Sequence, residues 1–147
     1  MMISKYLTVL DRELHYTEWG AGHAGTVVMW HGLARTGRDM DDIAAHLAQR
    51  YRVICPDTIG RGLSQWSPQP AQEYCLAFYA QLAASLLDQL GLEQVHWLGT
   101  SMGGQQSFAY ATHNPALKAA VVCYGPAPDS AAMARIKAPV LGVYAEN

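Results

Sequence analysis

Gln94-Val95-His96-Trp97-Leu98-Gly99-Thr100-Ser101-Met102-Gly103-Gly104 decides how this chain is read. A short apolar run, Gln94 to Leu98, has strand length, and a stretch rich in small residues, Met102 to Thr112, reads as a helix halted at Asn114-Pro115. Between them lies G-x-S-x-G. A serine on a sharp strand-to-helix turn has its hydroxyl lifted above the sheet edge, at a helix N-terminus. Gly99 and Gly103 flank Ser101 because a Cβ at either place would collide with so tight a turn. Ser101 is therefore the candidate nucleophile, and the Met102 N–H is a candidate donor to an oxyanion forming beside it. Taken alone, G-x-S-x-G more often marks close packing of small residues, and the strand and helix on either side give it weight.

Outward from this stretch, strand-like and helix-like segments alternate. Lys5–Leu10 and Glu13–Trp19 flank a turn at Asp11-Arg12 and predict an N-terminal antiparallel hairpin. Thr26–His31 and Tyr51–Pro56 are buried-strand runs, and residues 39–50 predict a helix with Ile43, Ala44 and Leu47 on its inner face. Residues 57–73 form a long Gly- and Pro-punctuated loop. Residues 74–90 predict a single long helix, with only Asp88 charged, largely covered by protein and capped by Gly91. Residues 117–125 and 139–145 supply two more strands, joined by a weak helix at 131–135. Strand–helix alternation from residue 26 onward predicts an α/β fold: a mostly parallel, doubly wound sheet with an N-terminal antiparallel hairpin, in one domain over 1–147.

Composition narrows the function classes. The 147 residues are 50% hydrophobic and 15% charged, with a formal net charge of −2, which suits a folded domain and gives no basic surface for nucleic acid. No window of 18 apolar residues predicts a membrane span, and the N-terminus lacks a secretory leader's apolar stretch. Cys55, Cys75 and Cys123 stand far apart and read as buried free thiols, so a cytoplasmic location is expected. Gly20 to Gly25 spells G-x-G-x-x-G, but it leads into a strand and offers no helix N-terminus to a pyrophosphate. No cofactor is expected, and no ligand spacing suggests a metal.

Trp30-His31-Gly32-Leu33 ends the third strand. Gly32 lets the backbone turn so that the Leu33 N–H joins that of Met102 as a second oxyanion donor, while His31 is read as a packed, hydrogen-bonded strand-end residue. Trp66, Tyr74, Phe78 and Tyr79 are read as core side chains, with a pocket-lining role as the alternative.

Together with Asp57-x-x-Gly60-x-Gly62-x-Ser64, these motifs resemble the α/β-hydrolase superfamily over essentially the whole chain. Residues 1–104 are similar to its esterase and epoxide-hydrolase-like branch, and residues 103–147 to its dienelactone hydrolase branch. Where that family usually carries Arg and His after its fourth strand, this chain has Thr58-Ile59 and Arg61. Where dienelactone hydrolases use Cys, it has Ser101.

The resemblance implies a serine hydrolase of small carboxylic esters or lactones. It also implies an acid and a histidine following the serine in chain order. After Ser101 the acids are Asp129 and Glu146, and the lone histidine, His113, precedes both. His113 also lies about 18 Å along the helix at ~1.5 Å per residue. The chain is therefore expected to be a fold lacking its last strand and helix, truncated before the catalytic Asp and His, and impaired alone. The alternatives are a non-catalytic fragment or pseudo-enzyme and an acyltransferase. An exposed apolar edge at residues 139–145 is expected to pair with a second copy or a complementing partner, or to lower solubility.

Overall fold

The computed structural model describes residues 1–145. Within them, seven strands form one sheet in the order β1-β2-β4-β3-β5-β6-β7. The hairpin of β1 (Met2–Val9) and β2 (Arg12–Trp19) turns at Leu10 and Asp11, both at positive φ, and lies antiparallel to β4 (Arg52–Pro56). β3 (Thr26–Trp30), β5 (His96–Thr100), β6 (Ala119–Cys123) and β7 (Val140–Val143) continue in parallel. The predicted doubly wound sheet with an antiparallel hairpin is observed.

Alternation along the central strands explains their unbroken apolar runs. Val28 and Trp30 of β3 and Ile54 of β4 face a core built with α3 (Leu76–Gln89) and α4 (Met102–His113). Val27, Met29, Val53 and Cys55 face the other way, onto Met40 and Ala44 at the start of α1 (Asp41–Leu47). Both faces are covered, so neither can carry polar residues without burying them. In the larger core Trp97 stacks between Trp30, 5.5 Å and 11° away, and Tyr110, 4.6 Å and 22° away.

Several local expectations are corrected. The helix predicted over 39–50 is a 3-10 turn, Gly37–Met40, running into the shorter α1. Met40, Ala44 and Leu47 take the inner stripe, which rotates Ile43 outward to 47% exposure. The helix predicted at 74–90 is observed as α3, two residues shorter at its start, and a further short helix, α2 (Pro70–Glu73), forms inside the predicted loop. Tyr74 separates the two by adopting φ −88°, ψ 60°, and its hydroxyl accepts the Ser67 N–H at 3.0 Å. On α3, Tyr79, Leu82, Ala83, Leu86 and Leu87 form a single buried stripe, and the opposite face is open. Of the three free thiols only Cys55 is fully buried; burial pushes it up to about 12, while Cys75 is exposed. Trp66 is 73% exposed and outside the core.

A charge cluster absent from the sequence reading sits on β2. Glu18, 1% exposed, takes Arg52 Nε at 2.5 Å and a second contact from Lys5. Burial works to raise its pKa, but the two cations outweigh this and hold it below the usual carboxylate range. At the far side of the sheet β7 is an edge strand, with Leu141, Val143 and the following Tyr144 61%, 49% and 54% exposed.

Candidate active site

Ser101 closes β5 and caps α4 with φ 55° and ψ −117°, a region that non-glycine residues rarely occupy. The turn is held from several directions. The Ser101 N–H donates to Cys123 O at 2.9 Å, Gln105 N donates to Ser101 O at 3.0 Å, and Ser107 Oγ donates to Gly103 O at 2.8 Å. A Cβ at Gly99 would stand 2.0 Å from Gly103 O, and one at Gly103 2.2 Å from Trp30 O. These are backbone atoms with nowhere to retreat, so the two glycines are needed for the ends of β3 and β5 to meet the first turn of α4.

The loop after β3 is fixed against this turn. A Cβ on Gly32 would lie 3.3 Å from Ser101 Cβ. His31 Nε2 accepts the Thr58 N–H at 2.9 Å, which requires the tautomer whose Nδ1–H donates to Gly32 O at 2.7 Å. A trans peptide sends its C=O and N–H in opposite directions. With the Gly32 carbonyl tied to His31, the Leu33 N–H leaves on the other side of that peptide. Arg61 secures the next one: its Nε donates to Leu33 O at 2.9 Å, and its Nη1 to Ile59 O and to Tyr79 Oη. The residue that departs from the family's usual loop thus braces the segment beside Ser101.

Gly32, Leu33, Thr100, Ser101, Ile43 and Tyr124 are among the residues lining an open cleft of about 540 Å³. The structure thereby brings together Ser101, Gly32 and Leu33, with Met102 following Ser101 as the first residue of α4. Among the described residues it places no histidine as partner to Ser101. Both nitrogens of His31 are engaged, and burial pushes its pKa down against the opposing hydrogen bond to Gly32 O. His15 is bound to Ser4 and Asp57, His23 to Ala48 O, and His113 to Ala109 O and Thr112. His96 begins β5, at the opposite end from Ser101, and His46 lies exposed on α1. Asp129 caps the short helix α5 (Ser130–Met133) by accepting the Ala132 N–H at 2.8 Å, and Glu146 lies outside the described residues.

The His31 contacts carry a pH consequence. A protonated imidazole would set a second N–H against the Thr58 N–H, so the folded state favours the neutral ring. The folded pKa is depressed below the ordinary 6.5. A depressed histidine leaves the unfolded chain binding more protons as acidity rises, so its stabilising contribution is complete above 6.5 and shrinks as pH falls toward the folded value. Thermal melts from pH 8 to pH 5 are expected to show the midpoint falling below about pH 6.5, and less steeply in His31→Asn.

A family model described as alpha/beta hydrolase fold matches residues 25–142. The chain belongs to the α/β-hydrolase family. Among curated relatives, the 3-hydroxybutyrate-oligomer hydrolase of Cupriavidus necator is 46% identical over 90 residues, covering 60% of this chain and 30% of that protein. The 2-hydroxy-6-oxononadienedioate/2-hydroxy-6-oxononatrienedioate hydrolase 2 of Pseudomonas putida is 39% identical over 113 residues, covering 72% of this chain and 37% of that protein. An α/β hydrolase from Novosphingobium aromaticivorans superposes with a TM-score of 0.77 at 36% identity, over 82% of this chain and 43% of the other. The chain thus spans less than half the length of each of these proteins. Among the described residues no helix is long and apolar enough to cross a membrane.

Proposed function

We propose that Ser101 is the nucleophile of a serine hydrolase acting on small carboxylic esters or lactones, with the Leu33 and Met102 N–H groups holding the oxyanion. The observation that carries this reading is the backbone of Ser101, held at φ 55°, ψ −117° at the head of α4 and facing the same cleft as Leu33. Strain of this kind, about 1–3 kcal/mol, persists where surrounding structure imposes it, and here two glycines and three hydrogen bonds do so. A relative named as a hydrolase of 3-hydroxybutyrate oligomers supports an ester substrate, because hydroxy acids join head to tail through ester bonds.

The chemistry divides unevenly. Attack by Ser101 Oγ on the carbonyl carbon puts negative charge on the carbonyl oxygen, which two backbone donors can receive without reorganising. Removal of the serine proton needs a base, and the six histidines of the chain are engaged or placed elsewhere. Without a base both steps slow, but p-nitrophenolate departs unprotonated whereas the serine oxygen does not, so acyl transfer from an activated ester is expected to outrun deacylation. With p-nitrophenyl acetate, this chain should release a burst approaching one equivalent of p-nitrophenolate, then turn over slowly. Ser101→Ala should cut the burst rate at least about tenfold, a small part of what nucleophilic and oxyanion catalysis supply. An unchanged burst in a folded Ser101→Ala chain would remove the reading.

A second reading, association through β7, is favoured by its unpaired edge and its exposed Leu141 and Val143. The occupant would be the same strand of a second copy, antiparallel across a two-fold axis. Light scattering should then report a dimer that Leu141→Lys converts to monomer, and a wild-type monomer at high micromolar concentration would dismiss it.

A further inference from the structure

The imidazole arranged as a base in this molecule serves a different serine. His15, 2% exposed on β2, lies between Asp57 and Ser4: its Nδ1 is 2.8 Å from Asp57 Oδ2 and its Nε2 is 2.7 Å from Ser4 Oγ. A carboxylate can only accept, so Nδ1 carries the proton, and in the neutral ring Nε2 accepts from the Ser4 hydroxyl. We infer that Ser4, His15 and Asp57 form a second nucleophile–base–acid chain, able to take an acyl or phosphonyl group from an activated donor.

Three observations support more than a structural tie. First, Asp57 is rigidly oriented. Its Oδ1 accepts the Gly37 N–H at 2.7 Å and its Oδ2 the Leu63 N–H at 2.9 Å, while a Cβ on Gly62 would come within 2.1 Å of Oδ2. Second, the register of the hairpin pairs Ser4 with Thr17 and Tyr6 with His15, putting all four side chains on one face. Tyr6 then covers the imidazole, with ring centroids 5.1 Å apart, and leaves Nε2 to Ser4. Third, Ser4 is exposed and opens onto a cavity of about 250 Å³ lined also by His15, Thr36, Arg38 and Leu63. Arg38, held by Asp41, is a cation lining that cavity and can face a developing oxyanion. Ser4 and His15 lie toward the sheet edge opposite β7, four and three strand positions from β5.

The step balances without a further reagent. Ser4 Oγ bonds to the carbonyl carbon while its proton passes to His15 Nε2. The tetrahedral adduct collapses by breaking the bond to the leaving oxygen, which takes that proton from His15 and departs as the alcohol or phenol. Asp57 keeps its charge throughout and steadies the transient imidazolium.

The test uses the Ser101→Ala chain, so that labelling at Ser4 is read apart from the first site. It is treated with a fluorophosphonate and mapped by peptide mass spectrometry over time. Ser130, exposed on α5 with no imidazole beside it, serves as the internal reference. Ser4 is expected to be modified about 100-fold faster than Ser130, the lower range of general-base assistance, and Ser4→Ala to abolish that adduct with an unchanged melting temperature. Equal rates at Ser4 and Ser130, or no adduct at Ser4 in a chain that melts normally, would overturn the inference.

Discussion

Replacing Gly103 by alanine is expected to lower the melting midpoint by roughly 6–12 °C, at 2–4 °C per kcal/mol for a domain of this size. The added methyl would stand 2.2 Å from Trp30 O and 2.8 Å from His31 O. Overpacking a core ordinarily costs about 1–3 kcal/mol because side chains give way. Here the obstacles are carbonyls at the end of β3, and yielding would move α4 away from the sheet. The cost should therefore sit at the top of that range, about 3 kcal/mol, from a total of about 5–15. Gly99→Ala meets Gly103 O at 2.0 Å and should behave alike, whereas Gly22→Ala meets nothing within 4 Å and should be nearly neutral. Differential scanning calorimetry on the three variants checks the contrast, and equal midpoints would contradict it.

Trp97→Ala is expected to cost about 3–5 kcal/mol, enough to unfold much of the population near 37 °C. The side chain is 1% exposed and stacks on Trp30 and Tyr110, so its loss empties the space between β3 and α4. Its indole Nε1 is buried with no hydrogen-bond partner. An unpaired buried donor costs about 1–3 kcal/mol, so Trp97→Phe removes a penalty while creating a smaller void. Urea titrations should place the phenylalanine variant much closer to wild type than to alanine. A Trp97→Phe loss equal to that of Trp97→Ala would show that the stack, and not the missing partner, sets the cost.

The Ser101 turn was legible in the sequence because everything that forces it is local. Gly99, Gly103 and the flanking strand and helix lie within twenty residues, and a glycine required by a close approach shows itself as a glycine. The parallel strands were legible for a related reason: burial on both faces demands continuous apolar runs. The groups that sequence reading missed are paired across long separations. Asp57 meets His15 from 42 residues away, Glu73 meets Arg12 from 61, and Arg61 reaches Leu33 O from 28. Each depends on strand register or loop path, which periodicity does not report. Glu18 shows the same limit, since an acid on a hairpin strand reads as solvated until Lys5 and Arg52 are found beside it. Ile43 was misplaced by a single turn, because the helix takes its phase from Met40 in the preceding 3-10 segment.

The Arg12–Glu73 pair and the Asp57 network bind the hairpin to the long loop after β4, and Arg61 carries that loop's position to Leu33. Order beside Ser101 thus rests on contacts well outside its cleft. The central claim is that Ser101 is the atom that attacks. Its most direct test is to treat the Ser4→Ala chain, in which the second serine cannot compete, with a limiting amount of fluorophosphonate and locate the adduct by peptide mass spectrometry. The account predicts that most of the label is on Ser101. Label found predominantly elsewhere, or a natively folded chain that takes none, would contradict it.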